Sequence, residues 1–140
     1  MINIKKITAI AMIISCITSA QAYAESQYDA ELSSMSGELN SLLIQAKNIK
    51  TNGDAFDLSD KTLDLAKRLH RLGEEANSTN LSLLQQGLPQ RSDLEYSFVI
   101  SDSMDLSVNL LNAYLRTGNK KFLQLAQEHT KFTRMILSRQ

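Results

Sequence analysis

From Ser26 onward, apolar residues recur every three or four positions almost without a break, and no stretch alternates strictly in the way a half-buried strand must. A chain written at that period folds into helices that each carry one apolar stripe, and such stripes are stable only when packed against one another. Interruptions are few, since the chain has one proline and five glycines. The spacing predicts four helices, over about 26–50, 55–77, 92–117 and 119–139.

The first predicted helix carries a seam of Leu32, Met35, Leu39, Leu42, Ala46 and Ile49, and Asn52-Gly53 reads as its stop. Asp54 is placed to cap the second helix, whose seam is Leu58, Thr62, Leu65, Leu69, Leu72 and Ala76. Residues 77–91 read as the longest irregular connection, with Asn77-Ser78-Thr79-Asn80 and Gly87-Leu88-Pro89 as breakers. Ser92 and Glu95 have capping-box spacing at the start of the third helix, which carries Leu94, Phe98, Met104, Val108, Leu111 and Leu115 and stops at Gly118. The fourth places Phe122, Leu125, His129, Phe132 and Ile136 on one face. Two tight turns and one longer loop between helices of similar length predict an all-α, up-down-up-down antiparallel four-helix bundle.

Ahead of the helices, residues 1–24 read as a secretory signal peptide: Lys5 and Lys6 supply the charged start, Ile7 to Ile17 the apolar run, and Ala22-Tyr23-Ala24 a small-x-small cleavage site. The apolar run falls short of the roughly 20 residues that a membrane span requires. Cleavage after Ala24 leaves residues 25–140 in the periplasm as the bundle domain. Ile13-Ile14-Ser15-Cys16 also resembles a lipobox, so a membrane attachment is expected only if Cys16 is lipidated. Cys16 is the one cysteine, and its removal leaves no thiol for a disulfide. The whole chain balances 15 basic against 15 acidic residues, and without Lys5 and Lys6 the acids exceed the bases by two. No basic stripe interleaved with aromatics marks a nucleic-acid partner.

Residues 118–134 (GNKKFLQLAQEHTKFTR) resemble the closing helix of the periplasmic cytochrome b562 family at Gly118, Lys121, Gln124, Ala126, Glu128, Lys131, Thr133 and Arg134. In that family a His four residues past the Arg binds haem iron, and this chain has Ser138 there. A second match covers Ala30, Glu31 and Leu32, then Leu39, Asn40 and Leu43, and it sets the family's axial Met opposite Ser36. Sliding by one residue sets it on Met35 instead. The resemblance implies a soluble four-helix electron carrier with b-type haem at the end where Met35, Ser36, Leu72, Phe98, Ser101, Met104, Arg134, Met135 and Ser138 gather.

Serine is a poor iron ligand, so two functions follow from that resemblance. In the first, haem ligation is lost or altered and the bundle is a non-catalytic binding module for a periplasmic protein or a small apolar ligand. In the second, haem is still held by substitute ligands, Met35 with Met104 or Met135. His129 lies nine residues before Ser138, roughly 13 Å along a helix axis, and reads as a neutral core residue bonded to a neighbour. His70, beside Lys67, Arg68 and Arg71, reads as surface, and Asp102 and Asp105 as a solvated face. No nucleophile elbow, phosphate loop or ligand-spaced carboxylate pair points to an enzyme.

Overall fold

The computed structural model describes residues 28–138, so the signal sequence, its cleavage site and Cys16 lie outside the described residues. Within them the chain forms four helices packed against each other and no strand: α1 (Asp29–Lys47), α2 (Asn52–Gln85), α3 (Ser92–Thr117) and α4 (Lys120–Leu137). Helix α3 packs on all three others, α1 likewise packs on α2, α3 and α4, and α2 and α4 do not touch. The Arg68 guanidinium donates to Glu38 at 2.6 Å and Arg71 donates to Glu31 at 3.3 Å, so α1 and α2 meet in opposite chain senses. Ser103 with Thr133 and Ser107 with His129, each at 2.9 Å, give α3 and α4 the same opposed pairing.

Every residue of the predicted α2 seam is buried, as are Leu32, Met35, Leu39, Leu42 and Ala46 of α1. The boundary between these helices is not where glycine suggested. Helix α1 ends at Lys47, where the Asn48 side-chain amide donates to the Ile44 carbonyl, and Asn52-Gly53 opens α2 instead of closing α1. The cap is Thr51: its hydroxyl accepts from the Asp54 N–H at 3.1 Å, and the Asp54 carboxylate accepts from the Thr51 N–H at 3.0 Å. Those bonds hold the Asp54 carboxyl below its ordinary value, the Thr51 side-chain contact contributing most.

The second helix also runs through Asn77-Ser78-Thr79-Asn80 to Gln85, where a loop was expected from residue 77. Ser78 and Thr79 turn their hydroxyls back onto the Glu75 carbonyl at 3.1 and 2.8 Å, so their polar groups are satisfied without leaving the helix. The real stop is Gly87, at φ 72°, where the Gly87 N–H donates to Leu84 and the Leu88 N–H to Leu83. This is a Schellman closure, which needs the left-handed conformation that glycine adopts without strain.

Helix α3 has its N-cap one residue before the expected one, at Arg91, with no side-chain capping bond from Ser92 or Glu95. Asn80 fixes that start from across the loop: its Oδ1 accepts from the Arg91 N–H at 2.7 Å and its Nδ2 donates to the Arg91 carbonyl at 3.1 Å. Gly118, at φ 67°, ends α3 as the sequence indicated.

Helix α4 buries Leu123, Ala126, Thr130, Thr133 and Ile136, a face displaced from the expected one, and leaves Leu125 and Phe132 more than a third exposed. The cause lies on α3, which buries Ser97, Ser101, Ser103 and Ser107 among its large apolar residues. Small hydroxyl-bearing side chains let α3 and α4 come together through hydrogen bonds rather than interlocked leucines, so the bulkiest residues of α4 do not mark its inner face.

Candidate functional site

The residues expected to form one pocket at the bundle end fall into two groups. Met35 and Met104 are each 1 % exposed and sit in the same packed core with Leu32, Leu72 and Leu94. Ser36 and Ser101 are also buried, and Ser101 donates its hydroxyl to the Phe98 carbonyl at 2.8 Å. Arg134, Met135 and Ser138 lie outside on α4. Ser138 caps that helix, with its N–H on the Arg134 carbonyl and its hydroxyl on the Met135 carbonyl, both at 3.0 Å.

A Met and His clamp on haem iron needs two ligands facing each other across a slot open to a planar macrocycle. Here the two buried methionines are closed in by core side chains, and Ser138, the position at which the resemblance puts the His, is an exposed helix cap whose hydroxyl is already engaged. Neither histidine can replace it: His70 is on the surface of α2, and the Nδ1 of His129 is hydrogen-bonded to Ser107 at 2.9 Å. Burial pushes the His129 imidazole below its ordinary value, which keeps it neutral. The residues present do not fit the family's haem clamp.

Arg134, Met135 and Ser138 do share a place, a groove of about 560 Å³ between α1 and α4. Helix α1 contributes Asn40, Leu43, Ile44 and Lys47, at the i, i+3, i+4, i+7 positions of one stripe. Helix α4 adds Gln127, Thr130 and Lys131. The groove exists because α4 turns its small-residue face to α3, and its edge toward α1 then carries long polar side chains in place of interlocking leucines. Leu43 and Thr130 are buried at 3 % exposure each, while Ile44 and Met135 stand half-exposed on opposite sides.

The polar chemistry of this groove is one-sided. Lys47, Lys131 and Arg134 line it, no carboxylate does, and none of the three forms an ion pair among the described residues. The Thr130 hydroxyl and the Gln127 amide nitrogen are buried and have no hydrogen-bond partner among the described residues. Such orphaned groups cost about 1–3 kcal/mol each and call for an acceptor. Sequence reasoning named Arg134, Met135 and Ser138 and missed Lys47, Lys131, Gln127 and Thr130. The readable signal was the stripe on each helix that mixes apolar residues with cations and holds no acid.

A smaller cleft of about 160 Å³ between α2 and α3 is lined by Leu69, His70, Gly73, Glu74, Phe98, Ser101, Asp102 and Asp105. Asp102 is exposed as expected, but Asp105 is half-buried, and desolvation, with a smaller push from Asp102, raises its carboxyl. No group of three His, Cys, Asp or Glu side chains among the described residues is arranged to hold a metal ion. Nor is any described helix long and apolar enough to cross a membrane.

Comparison with known protein families, characterised proteins and solved structures finds no match for this chain.

Proposed function

We propose that this chain is a periplasmic, cytochrome b562-like protein that has given up haem ligation and works as a non-catalytic binding module. Export rests on the charged start, apolar run and Ala22-Tyr23-Ala24 site of residues 1–24, and cleavage there releases residues 25–140. The opposed pairings of α1 with α2 and of α3 with α4, together with the separation of α2 from α4, support an up-down-up-down antiparallel bundle.

The observation that carries the binding reading is the α1–α4 groove, where buried donors and three cations, all without partners among the described residues, lie beside exposed apolar side chains. Buried polar atoms are paired in the great majority of cases, so two orphaned donors on one groove support a ligand there. Packed methionines and a capping Ser138 support the loss of haem. An absorbance scan of protein purified from the periplasm tests this. The expected spectrum has no Soret band, and a band at stoichiometric intensity would instead support an electron carrier ligated through Met35 with Met104 or Met135.

A further inference from the structure

We propose that the α1–α4 groove binds a single acyl chain with an anionic head, a proposal that rests on the binding-module reading and names its ligand class. The head is chosen by the donors. Gln127, Thr130 and Lys131 stand at i, i+3 and i+4 on α4 and therefore on one face, and Lys47 lines the same groove from the last turn of α1. An ammonium pair with a hydroxyl and an amide N–H offers a carboxylate or phosphate oxygen several donors and no opposing charge. Thr130 is the informative member, since the residue lines the groove while its hydroxyl is buried and has no partner among the described residues.

The chain is chosen by the rest of the lining. Leu43 gives the groove a buried apolar surface, and Ile44 and Met135 flank it with exposed apolar side chains, a thioether among them that adapts to irregular shapes. A volume of about 560 Å³ falls among those of small-molecule sites. A docked partner helix fits less well, because its own carbonyls are spent within the helix and its apolar face would cover the Thr130 and Gln127 donors without pairing them.

Two sources can supply this chemistry, a free fatty anion and the headgroup end of an anionic phospholipid. The mature, full-length chain is titrated calorimetrically with laurate below its micelle concentration, with dodecanol as the uncharged chain and acetate as the anion without a chain. Sedimentation with phosphatidylglycerol vesicles forms the parallel arm. Laurate is expected to bind one to one, about tenfold or more tighter than dodecanol, with no heat from acetate. Laurate binding without vesicle sedimentation assigns the free anion, and both together assign the lipid.

Lys131→Gln should weaken laurate by about tenfold and Lys131→Arg should largely restore it, while Lys61→Gln on the far helix changes nothing. Thr130→Val should weaken laurate without lowering the unfolding midpoint, which separates a lost contact from a damaged fold. Equal affinity for laurate and dodecanol, vesicle binding without laurate binding, or an unaltered Lys131→Gln titration would each overturn the proposal. Since the absorbance scan judges haem loss independently, a null titration on haem-free protein removes the ligand class and leaves the module reading standing.

Discussion

Gly73 of α2 faces Ser101 of α3 so closely that a Cβ at position 73 would lie 2.6 Å from the Ser101 hydroxyl oxygen. The two long helices thus meet at a point where one has no side chain, and the other spends its hydroxyl on its own Phe98 carbonyl. In an isolated helix, Gly to Ala gains about 1 kcal/mol. At this contact the gain is reversed, because the Ser101 hydroxyl must leave its bond and become an unsatisfied buried group, at a cost of about 1–3 kcal/mol. Gly73→Ala should therefore lower stability, and Gly73→Ala made in a Ser101→Ala background should raise it. A double-mutant cycle by denaturant unfolding measures the coupling, expected to exceed about 1 kcal/mol.

Leu69 and Leu111 are fully buried in the common core. Replacing either by alanine should cost about 2–5 kcal/mol through lost burial and the cavity left behind. Lys61, on the exposed side of α2, should tolerate alanine with a change within about 0.5 kcal/mol. Equal unfolding midpoints for Leu111→Ala and Lys61→Ala would contradict the packing of α3.

The contrast between α2 and α4 shows how far the fold could be read from residues alone. In α2 the inner face carries Leu58, Leu65, Leu69 and Leu72 at helical spacing with Thr62 and Ala76 on the same stripe, so the period gives the phase directly even though Phe56 and Leu63 stay exposed. In α4 the inner face holds Thr130 and Thr133, and hydroxyl pairing to α3 outweighs the attraction of Leu125 and Phe132 for the interior. The extension of α2 past Asn77 was hidden for a related reason. Ser78, Thr79 and Asn80 are loop formers unless a carbonyl or a neighbouring segment takes up their side chains, and here Glu75 and Arg91 do so. Of the candidate site, Arg134, Met135 and Ser138 were legible as a group through the bundle end at which the resemblance sets the haem, although Met35, Ser36 and Met104, expected beside them, do not line the groove. Their pairing with Lys47 was not, since about 90 residues separate them and only the packing of α1 on α4 brings them together.

His129 makes stability depend on pH in a direction that burial determines. Desolvation holds its folded pKa below the ordinary 6.5, so in mild acid the unfolded chain binds a proton that the folded chain refuses. The neutral imidazole's contribution is complete above 6.5 and is lost as pH falls from there through the folded value. Asp105 acts in the opposite sense, because its raised pKa lets the folded state accept a proton first and favours folding as pH falls toward the ordinary carboxylate range. Unfolding midpoints measured from pH 7 downward should decline in the wild type, and the decline just below 6.5 should flatten in His129→Gln.

Asn80 joins the end of α2 to the start of α3 by two bonds to one peptide residue, Arg91. Alanine there strands the Arg91 N–H and carbonyl at a part-buried site and should cost about 1–3 kcal/mol. Aspartate keeps the acceptor but loses the donor and sets a negative charge against the Arg91 carbonyl. Asn80→Asp should therefore fail to restore stability at neutral pH. Hydrogen exchange would show the loss first in the amides around residues 83–95, where the loop and both helix ends depend on this contact.

Thr130 should be the position where stability and binding part company. Its neighbour one turn on, Thr133, spends its hydroxyl on Ser103 and the His129 carbonyl, whereas the Thr130 hydroxyl is buried with no partner among the described residues. Valine has nearly the same shape and β-branching, so Thr130→Val removes the orphaned group without opening a cavity or changing the helix propensity greatly. The free protein should gain about 1 kcal/mol or more, read as a higher unfolding midpoint at an unchanged denaturant slope. The matching change at Thr133, Thr133→Val, should instead destabilise, because it leaves the buried Ser103 hydroxyl unpaired. A fall in midpoint for Thr130→Val would mean that the hydroxyl has a partner in solution, and the groove would then lack the unfilled donor on which its anion preference rests.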